Sequence, residues 1–239
     1  MKGRVVMVTG AKAGIGGACM SVFRREGWTA FGVDIQPGSD FVADIASFAQ
    51  CQAAVAECIR AHGRLDALVN NAAIQTYGTV LTTTEEIWDR TLGVNLKGQW
   101  LMSKAAVPFM TSGSAIVNVS SVQGLASQKN VTAYSTSKHG LIGLTRSMAV
   151  DLAASGIRVC CVCPAAVDTP LIHAQYSMVE DVDAFRSSLD RQHPIGRMAE
   201  PREIAETIEF LASPRASFMT GSIVTVDGGM MSPLPGSHE

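Results

Sequence analysis

Val5-Val6-Met7-Val8-Thr9-Gly10-Ala11-Lys12-Ala13-Gly14-Ile15-Gly16 is a β-branched run that bends through glycines into a helical pattern. The apolar run reads as a buried strand and the residues after Gly14 as an amphipathic helix. A turn of this kind leaves backbone N–H groups free at the positive end of the helix dipole, where an anion such as a pyrophosphate binds. A Cβ in the turn would hold the backbone away from that anion. The spacing is G-x-x-x-G-x-G over Gly10, Gly14 and Gly16, not the G-x-G-x-x-G of the commonest dinucleotide fingerprint. Taken alone, it also suits a tight βα turn that holds no ligand.

Outward from this stretch the same alternation repeats. Strand-like runs fall at 5–8, 30–33, 65–69, 115–119, 158–163 and 223–226, and helical patterns at about 15–26, 47–62, 84–110, 134–154 and 201–212. Such alternation predicts an α/β fold, a doubly wound parallel sheet covered by helices on both faces in three α/β/α layers. Near-continuous apolar strands fit a sheet buried on both sides. The 239 residues fit one domain spanning 1–239, with no linker or repeat. An irregular stretch at about 168–200, carrying Pro170, Pro194 and Gly196, is an insertion at the carboxyl end of a strand, where such folds place ligand lids. The tail SPLPGSHE, residues 232–239, is expected to be poorly ordered unless something docks it.

Composition narrows the function classes. A net charge of −2 offers no basic excess for nucleic acid or an anionic membrane. The first apolar run stops at Thr9-Gly10, short of a signal-peptide core, and the stretch 159–167 is broken by Pro164 and too short to span a bilayer; a cytoplasmic location is the expectation. Cys160 and Cys163 have C-x-x-C spacing, yet on a strand positions three apart face opposite sides. Cys51 and Cys58 share a helix face and read as packing thiols. No metal site is expected.

The second strand ends in Asp34, 18 residues after Gly16, near the offset of the acidic residue that binds an adenosine ribose. A carboxylate there accepts from the ribose hydroxyls and repels a 2′-phosphate. Ile35 follows, so no arginine waits to neutralise that phosphate, and NAD is favoured over NADP. Lys12 is discordant, since a cation in the glycine turn could help a 2′-phosphate bind.

Tyr134 and Lys138 stand four apart at the start of the longest helical pattern, one turn apart on one face. Ser121 follows the strand at 115–119. Together with Thr9-Gly10-x-x-x-Gly14-x-Gly16, Asn70-Asn71-Ala72-Ala73, Asn95 and Val226-Asp227-Gly228-Gly229, this set resembles the short-chain dehydrogenases/reductases over nearly the whole chain. The resemblance implies a Rossmann-like fold, hydride transfer between an alcohol or ketone and a nicotinamide cofactor, and Tyr134 as general acid/base. A free phenol ionises near pH 10; the Lys138 ammonium would lower that by two or three units, roughly 3–4 kcal/mol of differential stabilisation. Lys138 would also hold the nicotinamide ribose, Ser121 the substrate oxygen, and Asn95 a water relaying protons to Lys138. The implied cofactor contacts are Gly10, Lys12, Gly14, Ile15, Gly16, Asp34, Asp44, Ile45, Asn71, Ala72, Tyr134, Lys138, Pro164, Val167 and Thr169. Ala73 and Ala165 stand where the family usually has glycine, so Ala165 would narrow the nicotinamide or substrate space. Family members usually form homotetramers, and a homotetramer or homodimer is expected.

The scattered histidines disfavour a zinc alcohol dehydrogenase, and Ser121 lacks the G-x-S-x-G elbow of a serine hydrolase. Gln75, Gln123, His173 and Tyr176 are expected near the substrate, and their polarity suggests a sugar, polyol or cyclic alcohol. Two rival readings stand beside an NAD-dependent alcohol dehydrogenase. One is an NADPH-dependent reductase of 3-oxoacyl thioesters, which predicts a basic patch for an acidic carrier. The other is a regulatory protein that binds NAD without turnover.

Overall fold

The computed structural model of the chain describes residues 3–232; the tail from 233 onward lies outside them. Seven parallel strands make one sheet: β1 Val5–Thr9, β2 Thr29–Asp34, β3 Phe41–Val42, β4 Ala67–Asn70, β5 Ala115–Val119, β6 Arg158–Pro164 and β7 Ile223–Val226. Their order is β3-β2-β1-β4-β5-β6-β7. The chain winds outward from β1 in one direction and then returns to β4 on its other side. That reversal opens a crevice beyond the carboxyl ends of β1 and β4, the place where doubly wound sheets bind ligands.

Every residue of β1, β4 and β5 is buried, as burial between two helical layers demands. One face packs Met7, Leu68 and Ile116 against Cys51 and Val55 of α2 (Phe48–His62), Met102 of α4 (Gln99–Ala106) and Met148 of α5 (Thr132–Leu152). The other packs Val6, Val8 and Val117 against Cys19 and Phe23 of α1 (Gly14–Arg25) and Ile204 and Ile208 of α8 (Pro201–Ala212). All six cysteines are buried and free. Cys160 faces the α1–α8 layer, whereas Cys161 and Cys163 meet Ile142 of α5 on the opposite face.

The elements differ from the sequence expectations in three places. The two-residue edge strand β3 was too short to carry a pattern. The helix expected at 84–110 is three pieces: α3 (Glu85–Leu92), a π-helical turn over Gly93–Gly98, and α4. The stretch 168–200 carries α6 (Pro170–His173) and α7 (Val182–Arg191). Among the described residues, no helix is long and apolar enough to cross a membrane.

Candidate active site

A cleft of about 700 Å³ runs along the carboxyl edge of the sheet. One end is the turn between β1 and α1. α1 begins after Ala13 with no side-chain cap and no acidic residue in its first turn, so its leading N–H groups stay available to an anion. The glycines are required mainly by packing within the chain. A Cβ on Gly16 would lie 2.0 Å from the Gly10 carbonyl oxygen, and one on Gly10, at φ +65°, would lie 2.9 Å from Ala72 Cα. Gly10 and Gly14 line the cleft with Lys12 and Ile15, while Gly16 lies behind it. The expectation that each glycine spares room for a pyrophosphate therefore fits Gly14 better than Gly16.

Asp34, at the end of β2, is held by the turn it faces: its carboxylate accepts from Lys12 N and Gln36 N, both at 3.0 Å. The Lys12 ammonium donates to the Pro37 carbonyl at 2.9 Å. Asp44 accepts from Ala46 N at 2.9 Å and, with Ile45, continues this wall. Asn71 Nδ2 donates to the Thr9 carbonyl at 2.9 Å, tying the end of β4 to that of β1. Asn71, Ala72, Pro164, Val167 and Thr169 all line the cleft.

At the other end, Ser121 just past β5 meets Tyr134 and Lys138 on the first turns of α5. Helical spacing places both α5 side chains on the face turned to the sheet. Tyr134 and Ser121 share the cleft lining, with the serine side chain close enough to the phenol to favour its ionised form; Ser121 Oγ accepts from Gln123 N at 3.1 Å. Lys138 Nζ stands 5.6 Å from the centre of the Tyr134 ring and donates to the Val119 carbonyl at 2.9 Å. Both side chains are buried, Tyr134 at 6% and Lys138 at 2% exposure. Burial dominates their ionisation: Tyr134 is pushed up to about 12, against the lowering effect of Ser121, and Lys138 down to about 8. The expected lowering of the phenol by the ammonium is not found here: burial and Tyr77 raise the phenol, and Ser121 lowers it.

Asn95 sits in the π-helical turn, fully buried and outside the cleft lining. Its Oδ1 accepts from Ile74 N at 2.8 Å, and its Nδ2 donates to the Ile74 carbonyl at 2.8 Å and to Ser137 Oγ at 3.1 Å. The side chain thereby clamps the segment after β4 to α5. Gln75 and Gln123 line the cleft. His173 and Tyr176 do not: His173 Nε2 bonds Asp168 Oδ1 at 2.5 Å, its ring rests 5.2 Å from that of Tyr176, and Arg186 donates to the Tyr176 hydroxyl at 3.3 Å. Both are spent holding the insertion together, which corrects their expected place beside the substrate.

Sequence reasoning missed Gln128, Gln175, Gln192 and Met230, which also line the cleft. No local signal marks them; the loops after β5 and β7 bring Gln128 and Met230 to the cleft, and the insertion brings Gln175 and Gln192. A buried chain of amides was missed as well. Asn70 Nδ2 donates to Asn118 Oδ1 and Ser103 Oγ, both at 2.9 Å, and Asn118 Nδ2 to Thr145 Oγ1 at 2.9 Å. It fixes α4 and α5 to the strand ends beneath the site.

An uncapped helix N-terminus, a strand-end carboxylate and a buried phenol–ammonium pair on one cleft define the class: a nucleotide-binding oxidoreductase. Comparison with known proteins agrees. The family model for enoyl-(acyl carrier protein) reductase matches residues 10–231. The oxidoreductase UcpA of Salmonella typhimurium is 36% identical over 253 residues, covering 98% of this chain and 96% of its own. Among solved structures, the ligand-free aldohexose dehydrogenase AldT of Thermoplasma acidophilum is 38% identical, covers 100% of this chain and 98% of its own, and has a TM-score of 0.93. A 3-ketoacyl-(acyl-carrier-protein) reductase of Brucella melitensis complexed with NADH is 29% identical over 96% of this chain and 98% of its own, at a TM-score of 0.85. The chain belongs to the short-chain dehydrogenase/reductase family.

Proposed function

We propose that this chain is an NAD-dependent dehydrogenase that interconverts a secondary alcohol, of the sugar, polyol or cyclic-alcohol class, with its ketone. The observation that carries the reading is Tyr134 beside Ser121 on the cleft lining, with the Lys138 ammonium 5.6 Å from the centre of its ring. A bound nicotinamide ring supplies the hydride acceptor in oxidation and the donor in reduction. Ser121 steadies the substrate oxygen as charge develops on it. Tyr134 takes the hydroxyl proton during oxidation and returns it during reduction. Lys138 would favour the phenolate against the burial that keeps the phenol protonated in the free chain, and it would hold the nicotinamide ribose.

NAD preference is supported by the Asp34 carboxylate, fixed toward the turn by Lys12 N and Gln36 N. A 2′-phosphate beside it would meet like charge, and the Lys12 ammonium is drawn to the Pro37 carbonyl. Gln75 and Gln123 on the lining, and the likeness to an aldohexose dehydrogenase, support a hydroxylated substrate. The enzyme would work as a cytoplasmic homotetramer or homodimer. The rival reading, an NADPH-dependent 3-oxoacyl thioester reductase, draws support for its substrate, though not for NADPH, from the likeness to the Brucella 3-ketoacyl reductase, which is complexed with NADH. Asp34 and the net charge of −2 weigh against it.

The test is an assay of purified protein with NAD and NADP across sugars, polyols, cyclic alcohols and steroids. NAD-linked oxidation of hydroxylated substrates is expected. NADPH-linked reduction of an acetoacetyl thioester as the dominant activity would overturn the proposal.

A further inference from the structure

We propose that the cleft wall around Ser121 is a glutamine-rich subsite for an uncharged ring polyol, one that rejects the phosphate ester or carboxylate of the same ring. This rests on the dehydrogenase reading above. The lining contributed between positions 119 and 134, apart from the phenol, and between 164 and 192 contains no ionisable side chain. It carries instead four glutamines, Gln123, Gln128, Gln175 and Gln192, set among Leu171 and Leu189.

Each glutamine amide offers two donors and a carbonyl acceptor, matching a hydroxyl that both donates and accepts. Gln123 Nε2 donates to Gln128 Oε1 at 2.9 Å, while Gln123 Oε1 is buried with no partner among the described residues. The amides of Gln175 and Gln192 enter no hydrogen bond among the described residues. A hydroxyl-bearing ring satisfies such groups while its C–H faces lie on the leucines. A plain apolar alcohol would desolvate the amides and leave them unmatched, the kind of loss that yields strong discrimination.

A phosphate or carboxylate in this part of the cleft would need a cation to offset its desolvation. Apart from Arg90, the cations of the cleft and the insertion are committed elsewhere. In the insertion, Asp168 takes His173 on one oxygen, while Arg186 lies 3.7 Å from the other. All three stand outside the lining. Lys138 is buried and bonded to the Val119 carbonyl, and Lys12 is bound to the Pro37 carbonyl at the opposite end. Arg90 lines the cleft together with its neighbour Asp89, a carboxylate that an anion bound there would also meet.

The experiment is steady-state kinetics of the full chain with NAD on aldohexoses, inositols, cyclohexanol, glucose 6-phosphate and glucuronate. Neutral polyols should exceed both the charged sugars and cyclohexanol in kcat/KM by at least about tenfold. Gln175→Leu and Gln192→Leu should each lower the polyol-to-cyclohexanol selectivity ratio by about three- to tenfold. Equal or better turnover of the phosphate or the acid, or an unchanged ratio in both variants, overturns this proposal and leaves the dehydrogenase reading standing. NADH binding, followed by its fluorescence, without turnover of any alcohol brings both down.

Discussion

Tyr134 and Lys138 are displaced from their ordinary ionisation in opposite directions by the same cause, burial at the floor of the cleft. In the free chain the phenol holds its proton, which suits donation to a ketone. Tyr134→Phe removes the group that moves the proton but keeps the ring. Turnover should fall by about 10²–10⁴-fold while NADH still binds, as NADH fluorescence will report. Retained turnover would remove Tyr134 from the chemistry. Lys138 carries a second prediction, about stability. Its ionisation drops from 10.5 to about 8 on folding, so the unfolded chain binds more protons between those values and stability rises with pH across that window. The cost of burying the ammonium is in full force below pH 8. Lys138→Met should therefore stabilise the unliganded protein at pH 7 by on the order of 2 kcal/mol, while abolishing activity. The advantage should shrink as pH climbs toward 10.5. Tyr134 acts with the opposite sign: raised from 10 to about 12, it withdraws stability as pH rises through that range. Urea midpoints of both proteins between pH 7 and 10 check the first effect, and a constant difference would refute it.

Among the elements, the π-helical turn over Gly93–Gly98 shows where pattern reading ended. Apolar periodicity marked one long helix there, because an extra residue per turn shifts the register without interrupting the run of helix formers. The π turn directs Asn95 inward to clamp Ile74 and Ser137, consistent with the tendency of such bulges to serve sites. Asn95→Ala would leave the half-buried N–H and C=O of Ile74 without their partner, costing about 2–3 kcal/mol. The thermal midpoint should fall by roughly 4–12 °C for a chain of this size. If the midpoint holds and only activity drops, the residue acts on protons rather than as a clamp. The six longer strands and four of the eight helices, α1, α2, α5 and α8, were legible because continuous burial leaves unbroken apolar runs and amphipathic faces leave a 3.6 period. The two-residue β3 and the short α6 carry too few residues for either signal. Ser121, Tyr134 and Lys138 were legible by motif and spacing; Gln128, Gln175 and Gln192 were not, since only tertiary folding brings the loop after β5 and the insertion to one wall.

At the scale of the whole molecule, the reversal of strand order between β1 and β4 governs everything else. It sets the Asp34 end of the cleft and the Tyr134 end along one crevice, so a ligand spanning them links elements from α1 to the insertion. Such a ligand binds the folded state alone and stabilises it by about 2.7 kcal/mol at a hundredfold excess over Kd. For a domain this long, that shifts the midpoint by roughly 5–11 °C. NADH should produce that shift. NADPH at equal concentration should produce much less, because its 2′-phosphate would meet a carboxylate already held rigid by Lys12 N and Gln36 N. Asp34→Ser withdraws the repulsion and leaves a hydroxyl beside Lys12, so the two shifts should converge or invert. The sign of the NADH–NADPH difference, measured by differential scanning calorimetry on both proteins, is the deciding quantity. A native protein stabilised more by NADPH would mean that the Lys12 ammonium leaves the Pro37 carbonyl for the phosphate, and the cofactor assignment would have to be reversed.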